Sequence, residues 1–220
     1  MKKIINKIEI LLFKNCSECK FNLQKPRHIL IMPGLGGSAW DLFPLVRYLR
    51  KNQKSYDVTA IPLGLNSASL AVTTSRAVDY LEKNLFKESN PEKIIFIGHS
   101  MGGKVACVLV DSIRKLYPDI TYEVITLGSP VGVEKRKYFS WIEDQFLRIF
   151  SDAYREWVPI IQPDPKIIKY TGYYSVDDKI IPSALEKIEH MGTIIELKGF
   201  SHMDLINSKK IGPEILKQLI

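Results

Sequence analysis

The sequence predicts a single-domain α/β fold of three layers around a mostly parallel sheet of about six strands. Three observations carry that reading. Short β-branched runs alternate with longer helical patterns along most of the chain, the rhythm of strand–helix–strand crossovers. The runs are near-continuous in Ile and Val rather than alternating with polar residues, as strands buried on both faces are. The chain has 220 residues, 45% hydrophobic and 25% charged, and a globular chain of that length buries roughly 70% of its unfolded surface without needing disulfides or a structural metal.

Taken in order, strands are expected at 28–32, 57–61, 93–97, 123–127, 167–174 and 193–197, and helices at 39–51, 69–87, 101–116, 183–190 and 212–220. Ser183 and Glu186 form a capping box at the start of the fourth of these helices. Residues 131–168 break the rhythm. They carry no strand signal yet hold seven of the 22 aromatic residues, and Tyr138, Trp141, Phe146, Phe150 and Trp157 share one face of a helix. This stretch reads as an insertion that leaves the sheet at its carboxyl edge. An apolar stripe of that size needs cover, so it is expected to act as a lid, with Trp141 and Phe146 meeting substrate.

Residues 1–27 form a separate basic segment, with seven Lys or Arg against two acids out of a net charge of +7. Ile4, Ile5, Ile8, Leu11 and Leu12 recur at helical spacing, so residues 2–13 read as an amphipathic helix that lies on the domain or on a lipid surface. Asn6, Lys7 and Glu9 interrupt the apolar run that a signal peptide would need, and no small-residue cleavage site follows. Nowhere do eighteen apolar residues run together, which leaves no candidate transmembrane helix. Cys16, Cys19 and Cys107 are too few and too odd in number for a disulfide framework, which suits a reducing, cytoplasmic setting. The single Cys16-x-x-Cys19 has no second pair to close a zinc site, and a surface turn with two reduced thiols is the expectation.

Gly98-His99-Ser100-Met101-Gly102 carries the chemistry. It follows a predicted strand directly and precedes a predicted helix, so Ser100 must sit on a sharp turn that exposes its hydroxyl, and Gly98, Gly102 and Gly103 let helix and strand approach closely enough to make that turn. A serine hydroxyl needs a base to take its proton and an acid to orient the base. Of the four histidines, His28 is at the first strand, His190 is near a helix end, and His99 projects away from its neighbour Ser100. His202 remains, in Gly199-Phe200-Ser201-His202 after the last strand, at the same carboxyl edge as Ser100. Asp177 and Asp178 follow the fifth strand at that edge, and both could reach His202.

Pro33-Gly34-Leu35-Gly36-Gly37 follows the first strand and could present the Leu35 N–H to a developing oxyanion together with that of Met101. Gly34, Gly36 and Ala39 also fit a dinucleotide-binding fingerprint, but the second strand ends Ala60-Ile61-Pro62 without the acid that would hold a ribose, and its one acid, Asp57, lies at its start.

These residues resemble the α/β-hydrolase family, and within it the small lipase and esterase group with a Gly-His-Ser-Met-Gly-Gly elbow, here residues 98–103. The resemblance covers residues 29–206. Gly34-Leu35-Gly36-Gly37 is similar to the first oxyanion loop, Leu127-Gly128-Ser129-Pro130 to the loop after the next strand, Asp178-Lys179-Ile180-Ile181-Pro182 to the acid motif, and Gly199-Phe200-Ser201-His202 to the His loop. Its register selects Asp178 over Asp177. Pro33 and Val131 depart from the histidines that many relatives carry there. The resemblance implies an α/β-hydrolase fold with a helical lid, and hydrolysis of an acyl ester through an acyl-enzyme on Ser100, Asp178 and His202. It implies no metal, no organic cofactor and no nucleic-acid partner. A thioesterase or an acyltransferase would use the same residues, and a membrane-docking protein that keeps the fold without catalysis is the reading from another class.

Overall fold

The structure is a computed structural model that describes residues 16–64, 68–131, 168–181 and 192–219. The expected helices at 2–13 and 183–190, and nearly all of the 131–168 insertion with Trp141 and Phe146, lie outside the described residues. Among the described residues six strands are present, each within three residues of its predicted bounds: β1 (Arg27–Met32), β2 (Asp57–Ala60), β3 (Lys93–His99), β4 (Thr121–Leu127), β5 (Ile168–Ser175) and β6 (Thr193–Leu197). They form one sheet in the order β2-β1-β3-β4-β5-β6, and every pairing is parallel.

Among the described residues four α-helices flank the sheet: α1 (Ala39–Asn52), α2 (Leu70–Leu81), α3 (Met101–Leu116) and α4 (Ser208–Gln218). Because successive strand residues point to opposite faces, the Ile and Val runs divide between two cores. Leu30, Met32, Ile94, Phe96 and Val124 pack with Leu81, Val105, Leu109 and Ile113 under α2 and α3. Ile29, Ile31, Val58, Ile95, Ile97 and Ile125 pack with Leu42, Leu45, Leu49, Ile211 and Ile215 under α1 and α4. Each fully buried Ile or Leu contributes about 1.5–3 kcal/mol against the entropy of ordering the chain, so both faces of the sheet add to its stability.

Two helix boundaries differ from expectation. The stretch expected as one helix over 69–87 is α2 followed by a π-helical turn, Glu82–Phe86. The last helix begins at Ser208 rather than 212, because the Asn207 side chain accepts the Lys209 N–H at 3.1 Å and caps it there. Gly212 serves packing inside α4: a Cβ at that position would strike the Tyr48 ring of α1.

The chain runs from β1 outward to β2, then crosses back to β3 on the other side of β1. The sheet therefore has a topological switch point between β1 and β3, and ligands of open α/β sheets bind at the carboxyl ends of the strands at such a point. The turn after β1 carries Gly34 to Gly37, and the turn after β3 carries Ser100.

Candidate active site

Ser100 has φ 50° and ψ −122°, the one positive φ outside glycine among the described residues. That strain is held by packing on both sides. A Cβ on Gly98 would run into the Gly102 carbonyl and the Gly103 Cα, and one on Gly102 would lie 2.5 Å from the Pro33 carbonyl oxygen and 2.6 Å from that of Met32. The Ser100 N–H donates to the Leu127 carbonyl at 2.9 Å, which ties the elbow to the end of β4, and the Ser129 hydroxyl donates to the Gly98 carbonyl at 3.2 Å. Gly102→Ala is expected to destabilise the protein by about 3 kcal/mol or more, since the atoms it meets are backbone and cannot yield; urea denaturation of the variant measures this.

Of the two aspartates, Asp178 faces His202. It is 2% exposed, its Oδ2 accepts from His202 Nδ1 at 2.7 Å, and its Oδ1 accepts the N–H groups of Ile180 at 2.8 Å and Ile181 at 2.9 Å. Burial pushes the Asp178 carboxyl up, but the His202 hydrogen bond and the two backbone donors outweigh it and leave the group below its ordinary value. An ionised carboxylate can only accept, so His202 carries its neutral-form proton on Nδ1. Its Nε2 lone pair is then free to take a proton from a hydroxyl.

Asp177 is exposed and turns the other way, its Oδ2 accepting the Gly199 N–H at 2.6 Å. The Ser175 hydroxyl donates to the Phe200 carbonyl at 2.6 Å and accepts the Asp177 N–H at 3.2 Å. These contacts clasp the acid loop to the His loop. Asp204 stiffens the His loop itself, accepting the Ser201 N–H at 2.9 Å and pairing with Lys210 at 2.8 Å. Ser175, Asp177 and Asp204 carry no motif that sequence reading singled out as supporting the His loop; the Ser201-x-x-Asp204 spacing is the one local signal.

The Gly34–Gly37 loop is closed by the Gly37 N–H donating to the Gly34 carbonyl at 3.1 Å, with Gly36 at φ +69°. A Cβ on Gly34 would lie 3.1 Å from the Ser100 Cβ, so this loop packs directly on the serine. Leu35 is half-buried beside it. Met101 opens α3, where its N–H has no intrahelical acceptor and lies at the positive end of the helix dipole. Ser38 and Asp41 form a capping box that starts α1 immediately after the loop.

His99 is buried, and its Nε2 lies 3.1 Å from the His202 carbonyl oxygen. Burial pushes its imidazole down to about 4, and the His202 ring beside it acts in the same direction; Asp178 and Asp41 also face it and favour its charged form. Because the unfolded chain binds this proton near pH 6.5, the usual imidazole value, His99 leaves stability intact above that pH, and the loss grows as pH falls toward 4. At one to two kcal/mol per unit, the loss reaches on the order of 3 kcal/mol at pH 4. Urea midpoints measured from pH 7 to pH 4 are expected to fall, and to fall less in His99→Gln.

Of the remaining sequence candidates, His190 lies outside the described residues, and His28 and the three cysteines lie away from this edge. His28 is fully buried at the opposite end of β1, with Nδ1 3.6 Å from Asp57 Oδ2. Cys16, Cys19 and Cys107 are unpaired, and burial pushes the Cys19 and Cys107 thiols up, Cys107 to about 12, so both stay protonated and unreactive. Among the described residues no cluster of ligating side chains could hold a metal, and no helix is long and apolar enough to cross a membrane.

Solved structures place this architecture. The chain is similar to a thioesterase of the prodiginine pathway of Streptomyces coelicolor, at 15% identity and a TM-score of 0.61, over 92% of this chain and 88% of that one. It is similar to polyneuridine aldehyde esterase at 13% identity and a TM-score of 0.61, over 88% and 98%. A membrane phospholipase A described as a bacterial virulence factor matches at 14% identity and a TM-score of 0.62, over 91% and 80%. No curated protein sequence matches the chain. At such identities these likenesses establish the fold, which is that of the α/β hydrolases. The PGAP1-like alpha/beta domain matches residues 26–203, more than three quarters of the sequence and a span that includes Ser100, Asp178 and His202, and the chain belongs to that family.

Proposed function

We propose that the protein is a serine hydrolase that cleaves carboxylic esters of lipase or esterase type through an acyl-enzyme. The observation that carries this reading is the 2.7 Å bond from His202 to the buried Asp178, at the sheet edge where Ser100 is held in its strained turn. Ser100 attacks the acyl carbonyl, and His202 Nε2 takes its proton and returns it to the leaving alcohol. Asp178 holds the imidazole in the tautomer this requires and stabilises its charged form. The N–H groups of Leu35 and Met101 receive the charge that develops on the carbonyl oxygen. Water then resolves the acyl-enzyme by the same path in reverse.

A thioester would react on the same residues, and the likeness to a thioesterase favours keeping that second reading. Labelling with a fluorophosphonate, followed by hydrolysis of matched series of p-nitrophenyl esters and acyl thioesters, tests both. Labelling at Ser100 with ester turnover is expected. A strong preference for thioesters selects the second reading, and a chain that neither labels nor turns over either series is a binding protein on a hydrolase fold.

A further inference from the structure

His99 makes a contact that the proposed chemistry does not use directly. It ends β3, one peptide bond before Ser100, and its ring enters the space between two loops. On one side lies Gly34, where a Cβ would come within 3.0 Å of His99 Nδ1. On the other lies the His202 loop, with the two imidazole centroids 4.6 Å apart at 44° and His99 Nε2 3.1 Å from the His202 carbonyl oxygen. A carbonyl oxygen only accepts, so His99 donates from Nε2.

We propose that His99 is a positioning residue for His202, its Nε2–H holding the His202 backbone in register with the nucleophile elbow. This rests on the hydrolase reading above. The 2.7 Å bond to Asp178 fixes how the His202 ring is turned, but it refers that ring to the acid loop. The bonds from Ser175 to Phe200 and from Gly199 to Asp177 refer the neighbouring backbone to the acid loop as well. His99 supplies a bond that runs from the serine's own strand to residue 202. It thereby sets how far the base stands from the hydroxyl it must deprotonate.

The chemistry of the side chain suits the place. His202 becomes an imidazolium during the reaction, and a Lys or Arg donor beside it would repel that charge. A Leu would fill the volume but remove the donor that ties the His202 carbonyl to the end of β3. A neutral imidazole avoids both, and burial, which lowers His99 to about 4, favours that neutral form.

The test compares His99→Leu, which removes the donor, with His99→Gln, whose side-chain N–H can reach the same carbonyl. A small misplacement of a catalytic group lowers turnover by up to about a hundredfold, so His99→Leu is expected to lower kcat on the order of 10- to 100-fold with KM little changed. His99→Gln should recover most of that loss. Where His99→Leu does not fold, His99→Met takes its place. A second readout is the low-field proton resonance of the His202–Asp178 hydrogen bond, which should persist in His99→Gln and broaden or shift in the apolar variant. Equal kcat losses in both variants, or an apolar variant with wild-type kcat and an unaltered resonance, would overturn the proposal. Absence of turnover in the wild type would instead refute the hydrolase reading, and the resonance would still decide whether His99 positions His202.

Discussion

Ser100→Ala is expected to lower kcat on the order of a million-fold, because loss of the nucleophile leaves only binding and oxyanion stabilisation. The variant isolates chemistry from structure. Alanine keeps the Cβ that packs against Gly34, and the backbone at φ 50° remains pinned by the Ser100 N–H to Leu127 and by the glycine contacts of the elbow. The Asp178–His202 bond involves no atom of Ser100. Melting temperature should therefore stay within a few degrees of the parent while turnover of a p-nitrophenyl ester and fluorophosphonate labelling both vanish. Hydrolysis at the wild-type rate by purified Ser100→Ala would refute the enzyme reading outright.

Much of this arrangement is legible in the sequence, and what is legible is local. The strands can be read because each is buried on both faces, so that 94–97 is an unbroken run, Ile94-Ile95-Phe96-Ile97, in a sheet where all four are fully buried. The elbow can be read because close backbone approach requires glycine at 98 and 102, and the Ser129 side chain packs against Gly103 where a Cβ would stand. What cannot be read is pairing at a distance. Nothing in the runs says that β1 lies between β2 and β3, because parallel strands of like composition differ in no residue that names a neighbour. The contacts supporting His202 have the same character. Asp177 reaches Gly199 across 22 residues, Ser175 reaches Phe200 across 25, and His99 reaches the His202 backbone across 103. Each reaches the His202 loop from a strand end or a loop far away in sequence, Ser175 at the end of β5 and His99 at the end of β3, and no periodicity exists to betray such a pairing. The start of α4 was hidden for a different reason: Gly212 and Pro213 signal a helix boundary in isolation, and only the Tyr48 ring explains a glycine inside the helix.

Asp178→Asn is expected to lower kcat by roughly 10⁴, whereas Asp177→Asn stays within about tenfold of the parent. The difference follows from which atoms each carboxylate engages. Asp178 Oδ1 accepts from the N–H groups of Ile180 and Ile181, while Oδ2 accepts from His202 Nδ1. In the asparagine variant the two backbone donors still require an oxygen, so they hold the amide carbonyl and turn its NH₂ toward His202. An NH₂ group donates, so His202 Nδ1 must become the acceptor and its proton moves to Nε2. The nitrogen that should take the serine proton then already carries one, and the base is lost although the loop remains in place. Asp177 has one such duty, to accept the Gly199 N–H, and an amide carbonyl can perform it. Steady-state kinetics of the two variants on one ester decide between the aspartates. Equal losses, or a larger loss at Asp177, would mean that the hydrogen bond to His202 is not the one that sets its tautomer during turnover.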